Sequence, residues 1–370
     1  MTTASDPGER ALVCTLLLVG CAGPGPADLD ADPPDLRDDG CRGGAPPSGD
    51  RLVLAGLPYD SAGAPSPRWA ALHLEATGEI RDEGARFDWG RNPLGEVRWT
   101  PDGSLGLMAT QDGGLARFDG VAGEPLTEAR GDWYAQDVWI EPSGEIAWIT
   151  DPNWPDNGGG LYRAAIDCET GELGDAERVL ETKLAAELVV DGERAWVVSR
   201  TDAGFVGLEV DLAAGTAVEV GVLFPDDSVI ADVVLSGGFL LASDHAEFTA
   251  NPNRVAALDL STGTTQVLND VLDAVSLIDG GGGVLAVSGY GNSVRWLANS
   301  GGVWSAGGPP AWSGPAPQLP GRAVPIDGGV LLAENQGIRA LWFDEPIADE
   351  GVLWGGSGFE AIVGGLGVRP

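Results

Sequence analysis

Seven times along the chain a short apolar run ends in a tight turn built on glycine, and the spacing of those turns constrains the fold more than any other feature. The turns are "TPDG" (Gly103), "EPSG" (Gly144), "VVDG" (Gly192), "VLSGG" (Gly237), "LIDGG" (Gly280), "PIDGG" (Gly328) and "IVGG" (Gly364), 36 to 48 residues apart. A second series runs in phase with the first: "LHLEATG", "ARFDGVAG", "AAIDCETG", "LEVDLAAG", "ALDLSTG" and "RWLANSG", ending at Gly78, Gly123, Gly171, Gly215, Gly263 and Gly301. Asp-x-x-x-Gly between two alternating strands has a physical reason, since the carboxylate caps nearby amides and glycine supplies positive φ. Each unit is therefore a meander of four short strands, A to D, and four strands in about 45 residues make a β-propeller blade.

The units begin near Glu96, Gln136, Leu184, Val229, Asp273 and Arg322, which gives blades two to seven. Blade one opens on "RLVLAGLPYD", which already reads as a B strand, while "GFEAIVGGLGV" near the C-terminus has the pattern of an A strand. The expected fold is all-β: a seven-bladed propeller of four-stranded antiparallel blades over residues 51–370, closed by the C-terminal strand joining the first blade. Closure of this kind removes free sheet edges.

Upstream of the repeats, "ALVCTLLLVGC" is an apolar run of about ten residues, the length of a signal-peptide core and too short to span a bilayer. Its end, Leu18-Val19-Gly20-Cys21, resembles the bacterial lipoprotein lipobox, which implies a signal peptide over residues 1–20 and a lipid anchor at Cys21. Ala22 and Gly23 follow where, by the same resemblance, an aspartate would mark inner-membrane retention, so the outer membrane is expected. Residues 21–50 are rich in Pro, Gly and Asp and read as an extended tether. Cys41 in that tether and Cys168 in the body form a candidate disulfide in an oxidising compartment.

The formal charge of −35 repels phosphates and anionic headgroups, which argues against nucleic-acid binding and leaves the lipid as the membrane attachment. The repeat unit "VRWTPDGSLGLMATQDGGLARFDG" (Val97–Gly120), together with "ALDLSTGT", resembles the YVTN and quinoprotein-dehydrogenase-like class of bacterial seven-bladed propellers. That class contains lactonases as well as catalytically silent surface proteins, so the resemblance implies the architecture and leaves the activity open.

Chemistry is expected on the face where B strands end and B–C loops begin. The residues there are Asp60, Asp112, Asp151, Asp202, Asp244, Asn292, and Glu334 with Asn335. They form either a ring of oxygen ligands for a hard cation such as calcium or a set of turn caps. Two B–C loops are long. "TDPNWPDNGGGLYR" carries Asn153, Trp154, Asp156 and Asn157, and "ASDHAEFTANPNRVAALD" carries His245 and Glu247. The first loop is similar to an oxygen-rich calcium loop but lacks EF-hand spacing, and its tryptophan suits a binding surface. His245 beside two acids is a candidate base or ligand.

No Gly-x-Ser-x-Gly elbow is present, and "DGGGGVLAV" reads as an A–B hairpin rather than a phosphate loop. Trp139, Trp148 and Trp196 are expected to pack between blades, and Trp304 and Trp312 to lie exposed in the connection between blades six and seven. The expected function is a binding scaffold for an envelope protein, a glycan or a small ligand. The alternatives are a lactonase-like hydrolase using a cation in the acid ring and a purely structural envelope protein.

Overall fold

The protein is described here by a computed structural model. The described residues lie between 51 and 369, apart from positions 61, 89–95, 111, 153–158, 184, 226–227, 245–253, 270, 272–273, 289–292, 307–310, 314–322, 335–336, 344–346 and 356–364. The expected signal peptide and tether, residues 1–20 and 21–50, fall outside them.

Seven antiparallel sheets follow one another along the chain, with no helix among the described residues. The first contains β1 (Arg51–Tyr59), β2 (Pro65–Leu74) and β3 (Ile80–Asp88), and the second β4 (Arg98–Trp99), β5 (Leu105–Ala109) and β6 (Leu115–Asp119). The third holds β7 (Asp137–Ile140), β8 (Ile146–Asp151), β9 (Gly160–Ala165) and β10 (Glu177–Glu181). The fourth holds β11 (Ala185–Asp191), β12 (Arg194–Thr201), β13 (Gly204–Asp211) and β14 (Thr216–Phe224). In the fifth are β15 (Ile230–Ser236), β16 (Phe239–Asp244), β17 (Arg254–Asp259) and β18 (Thr265–Asn269). In the sixth are β19 (Ala274–Asp279), β20 (Val284–Ser288), β21 (Ser293–Ser300) and β22 (Val303–Ala306), with the short β23 (Trp312–Ser313) paired to β21. The seventh has β24 (Ala323–Ile326), β25 (Gly329–Glu334), β26 (Gly337–Trp342) and β27 (Ala348–Gly355). Finally β28 (Gly365–Val368) returns to pair with β1, so the first sheet runs β28-β1-β2-β3.

In the second blade the outermost position is held by isolated bridges, Phe118 to Pro125 and Leu115 to Ala129. Proline has no amide to give to a ladder, which confines it to such an edge.

The ring follows from period-two burial. β1 is buried along both faces: Leu52 and Leu54 pack with Trp69, Val97, Met108 and Phe118 toward the second blade. Val53, Ala55 and Leu57 pack with Val324, Leu331 and Ile338 toward the seventh. A strand buried on both sides needs a sheet on each side, and slipping the register by one residue would exchange the two sets. The same pattern recurs at every junction, giving seven apolar clusters that each join neighbouring blades, with the last joining blade seven to blade one.

Turn chemistry sets the blade geometry. Asp119, Asp167, Asp211 and Asp259 each accept two amides of their own C–D turn, such as Val121 N at 3.0 Å and Ala122 N at 2.5 Å for Asp119. Gly123 closes that turn at φ +72°, and a side chain there would also meet Leu54.

Two sequence expectations are corrected. In blade six the positive φ falls on Gly281 instead of Gly280, because "DGGGG" offers several glycines and the hairpin uses the next one. Trp304 is buried on β22 edge-to-face with Phe239, where the core between blades five and six takes its ring, and Trp312 is half-buried on β23.

The ring is also fastened at its rim. Trp354 Nε1 on β27 donates to Asp82 Oδ2 on β3 at 2.8 Å, and the Arg86 guanidinium lies 5.6 Å from the Trp354 ring centroid. Hydrogen bonds from Arg86, helped by Trp354 and the Gly84 amide, outweigh burial and hold the Asp82 carboxyl down at about 2. A depressed carboxylate contributes stability above its unfolded value of 3.8, and that contribution is lost as pH falls through about 2. Solvent screening discounts the shift at this exposed position, so Asp82→Asn should remove about 1 kcal/mol at neutral pH and flatten the acid limb of the stability profile below pH 4, as read by urea unfolding. An unchanged acid limb would show that the rim contact does not hold the ring.

Candidate functional site

A strands begin, and B strands end, on the same side of each sheet, so one face of the ring collects the B–C loops and the first residues of the innermost strands. Asp137 lies opposite Thr150 at the end of β8, and Asp232 opposite Ser243 at the end of β16.

The B-strand residues singled out from the sequence are placed as follows. Asp60 caps its own loop, accepting Ala62 N at 2.9 Å and Ala64 N at 2.8 Å. Asp112 accepts Thr110 Oγ1 at 2.8 Å and Arg130 Nη2 at 2.6 Å, and the same guanidinium reaches Glu128. Asp151 is fully buried at the end of β8 opposite Gly160, whereas Asp202 stands exposed in the turn between β12 and β13.

Asp244 is also fully buried. Its Oδ2 accepts Arg254 Nη2 at 2.8 Å, Arg254 Nε at 3.1 Å and Ser228 Oγ at 3.1 Å, and its Oδ1 accepts Val229 N at 3.1 Å. Glu334 accepts Arg339 Nε at 2.8 Å, and Arg339 goes on to both oxygens of Asp349 and stacks 5.2 Å from the Trp312 ring. Asp349 is held below its usual range: burial opposes the shift, and the bonds from Arg339, Trp312 and the Gly351 amide outweigh it.

Asp60, Asp112, Asp244 and Glu334 thus engage separate local partners, and among the described residues no three of His, Cys, Asp and Glu converge as a metal would require. Asn292, Asn335, Asn153, Trp154, Asp156, Asn157, His245 and Glu247 lie outside the described residues, as do Cys21 and Cys41. Cys168 is disulfide-bonded.

The arrangement that does converge lies one strand further in. Glu96, Asp137, Glu187, Asp232 and Ser276 occupy equivalent positions at the start of successive A strands. Asp137 accepts its neighbour Val138 N at 2.7 Å and, from the next blade, Leu188 N at 3.2 Å. Asp232 repeats this with Val233 N at 2.8 Å and Leu277 N at 2.7 Å, and Ser276 Oγ accepts Ala323 N at 3.3 Å. Asp137, Asp232 and Ser276 thereby each tie their own A strand to the next around the axis.

Among the described residues one cation, Arg98, faces these acids. Arg98 Nη1 donates to Glu96 Oε1 at 2.8 Å, and its guanidinium sits 5.3 Å from the Trp139 ring. Burial by itself would lower the Arg98 pKa, but the charges of Glu96, Asp137, Asp232 and Glu187 more than offset it, so the group is held more firmly protonated than usual. Among the described residues, the starts of the A strands therefore set four carboxylates around one guanidinium, a field that attracts cations and repels phosphate. The sequence carried a signal for it: an acid followed by an apolar residue opens four of the A strands in phase, at Glu96-Val97, Asp137-Val138, Glu187-Leu188 and Asp232-Val233.

The chain matches no protein-family model, and no curated protein resembles it closely enough to count as a relative. Solved structures do resemble it. A proposed 6-phosphogluconolactonase from Bacteroides uniformis superposes with a TM-score of 0.60 at 14% identity, over 86% of this chain and 99% of that one. Another from Bacteroides fragilis gives 0.59 at 13%, over 87% and 99%. A protein of unknown function from Desulfotomaculum acetoxidans gives 0.52 at 13%, over 67% and 78%. At such identities the likeness extends to the fold alone: the chain is a seven-bladed β-propeller.

Proposed function

We propose that this chain is an extracytoplasmic, lipid-anchored propeller that binds a partner through its B–C loop face, and that the group meeting the channel mouth is cationic or neutral. The carrying observation is the gathering of Glu96, Asp137, Glu187 and Asp232 around Arg98. The anchor rests on the lipobox-like end of the apolar run at Cys21, and the disulfide at Cys168 suits an oxidising compartment outside the cytoplasm. An envelope protein, a glycan or a small amine-bearing ligand fits this face.

The lactone-hydrolysing alternative has the two Bacteroides structures on its side as folds. Against it stands the charge: a phosphorylated lactone would approach a mouth whose potential repels it, and Asp112, Asp244 and Glu334 are already engaged by arginines.

Fluorescence polarisation of the purified chain with labelled hexalysine and hexaglutamate peptides tests the reading, with 6-phosphogluconolactone turnover measured alongside. Hexalysine should bind, and Glu187→Gln should weaken it about five-fold, roughly 1 kcal/mol. Asp191→Asn, on the opposite face, should leave it unchanged. Equal losses for both variants would reduce the effect to overall charge, and lactone turnover would move the hydrolase reading to the front.

A further inference from the structure

We propose that β23 is a releasable clasp on the loop face: Trp312, gripped by blade seven, holds this short strand on the edge of β21, and its release bares that edge while the propeller stays folded. In the fourth and seventh blades a single D strand covers the C strand from end to end, β14 over Phe205–Asp211 and β27 over Gly337–Trp342. In the sixth the D position is divided. β22 pairs with Leu297–Ser300, the half nearer the C–D turn, and β23 pairs with Ser293 and Val294, which follow the B–C loop.

The backbone by itself holds β23 weakly. The Ala311 amide donates to the Val294 carbonyl at 2.8 Å, and Pro309, Pro310 and Pro315 flank the strand in sequence without an amide to lend a longer ladder. The side chain supplies the grip. Trp312 packs against the core joining blades six and seven, and its Nε1 donates to Asp349 Oδ2 at 2.8 Å. The Arg339 guanidinium, bonded to both oxygens of Asp349, lies 5.2 Å from its ring. β23 thus belongs to the sheet of blade six and is secured by blade seven. When the indole withdraws, Arg339 keeps Glu334 and Asp349 as partners, so release strands no charge. A piece with few ladder bonds and one anchoring side chain opens at the low end of a protein's local free energies.

Beneath the clasp lies an edge suited to a strand. Val294 is fully buried, and Ser293 is 4% exposed with a hydroxyl that has no hydrogen-bond partner among the described residues. Bared amides and carbonyls on such an edge pair with an extended peptide. The position that Trp312 leaves, a guanidinium face beside a carboxylate acceptor, selects another tryptophan in the same register. The partner is therefore an extended segment carrying a tryptophan. That use of the edge rests on the binding reading above; the clasp itself does not.

Hydrogen exchange of the full chain in sub-denaturing urea, read by mass spectrometry, tests the release. Residues 311–313 should exchange faster than β20 and β26 and at a rate nearly independent of urea, the mark of a local opening. Trp312→Ala should speed that exchange about ten-fold, and Trp312→Phe, which keeps a ring but has no N–H, by less. A rate at 311–313 that climbs with urea in step with β20, or no acceleration in either variant, would overturn the clasp. A fluorescein-labelled peptide copying residues 307–317 should bind Trp312→Ala about five-fold more tightly than the parent, and a copy with alanine at its tryptophan should lose that preference. Equal binding to both proteins would overturn the strand-accepting role. Hexalysine, which reports on the acids around Arg98, should bind parent and variant alike; its failure to bind either, with the peptide preference intact, would overturn the charge reading alone.

Discussion

Asp244→Ala should lower the stability of the propeller by about 3–5 kcal/mol, the largest loss expected from any single carboxylate on the loop face. Asp244 is inaccessible to water and meets an Arg254 side chain that is 11% exposed, so the substitution strands a guanidinium inside the protein. It also removes the acceptor for Ser228 and the Val229 amide, two more groups left without that partner. The 4.9 Å contact of Arg254 with Phe224 cannot substitute for a counter-ion. Urea unfolding would give the loss, and the double variant Asp244→Leu/Arg254→Met should recover most of it, because apolar side chains of similar volume often replace a buried ion pair at little cost. The loss should be the same in chelator and in millimolar calcium at matched ionic strength. A calcium-dependent loss would instead make Asp244 a metal ligand and restore the cation-ring reading.

Arg98→Met should cost about 2–3 kcal/mol at neutral pH and low salt, and the deficit should shrink under two treatments that leave packing unchanged. The substitution removes the charge that faces Glu96, Asp137, Asp232 and Glu187. Salt screens the repulsion left among the carboxylates, and acid protonates them. The parent behaves otherwise. Its raised guanidinium pKa means that the Arg98 contribution is fully present at every pH below the unfolded arginine value and is lost only beyond it in alkali. Unfolding of parent and variant across pH 4 to 8, at low and at molar salt, gives the comparison. A variant as stable as the parent at neutral pH and low salt would show that the acid ring needs no internal cation.

Local chemistry made much of the fold legible. The in-phase glycine turns gave the number of blades and, within a residue or two, the starts of β7, β11, β15, β19 and β24. The Asp-x-x-x-Gly units at Asp119, Asp167, Asp211 and Asp259 fold as their spacing requires, because a capping carboxylate and the amides it accepts lie within three residues of each other. The site was less legible. The census of B-strand ends found real positions, but the residues have different partners: a loop cap at Asp60, an arginine at Asp112, and a buried ion pair at Asp244. Trp304 was misread because it follows Gly301 and Gly302 and precedes a Pro-rich stretch, a setting that looks like a connection, while its ring belongs to the core of a D strand.

The sequence by itself determined the repeat, the strand alternation and the acidity, because each is written in residues that act on near neighbours or simply add their charge. Only the tertiary structure decided which groups face each other across the ring. Asp137 meets the Leu188 amide 51 residues away, and Trp354 reaches Asp82 across 272. Period-two alternation tells a side chain which face of its sheet it occupies, but closing seven sheets around one axis is what sets a neighbour against that face. For the same reason four acids from separate blades become one field around Arg98.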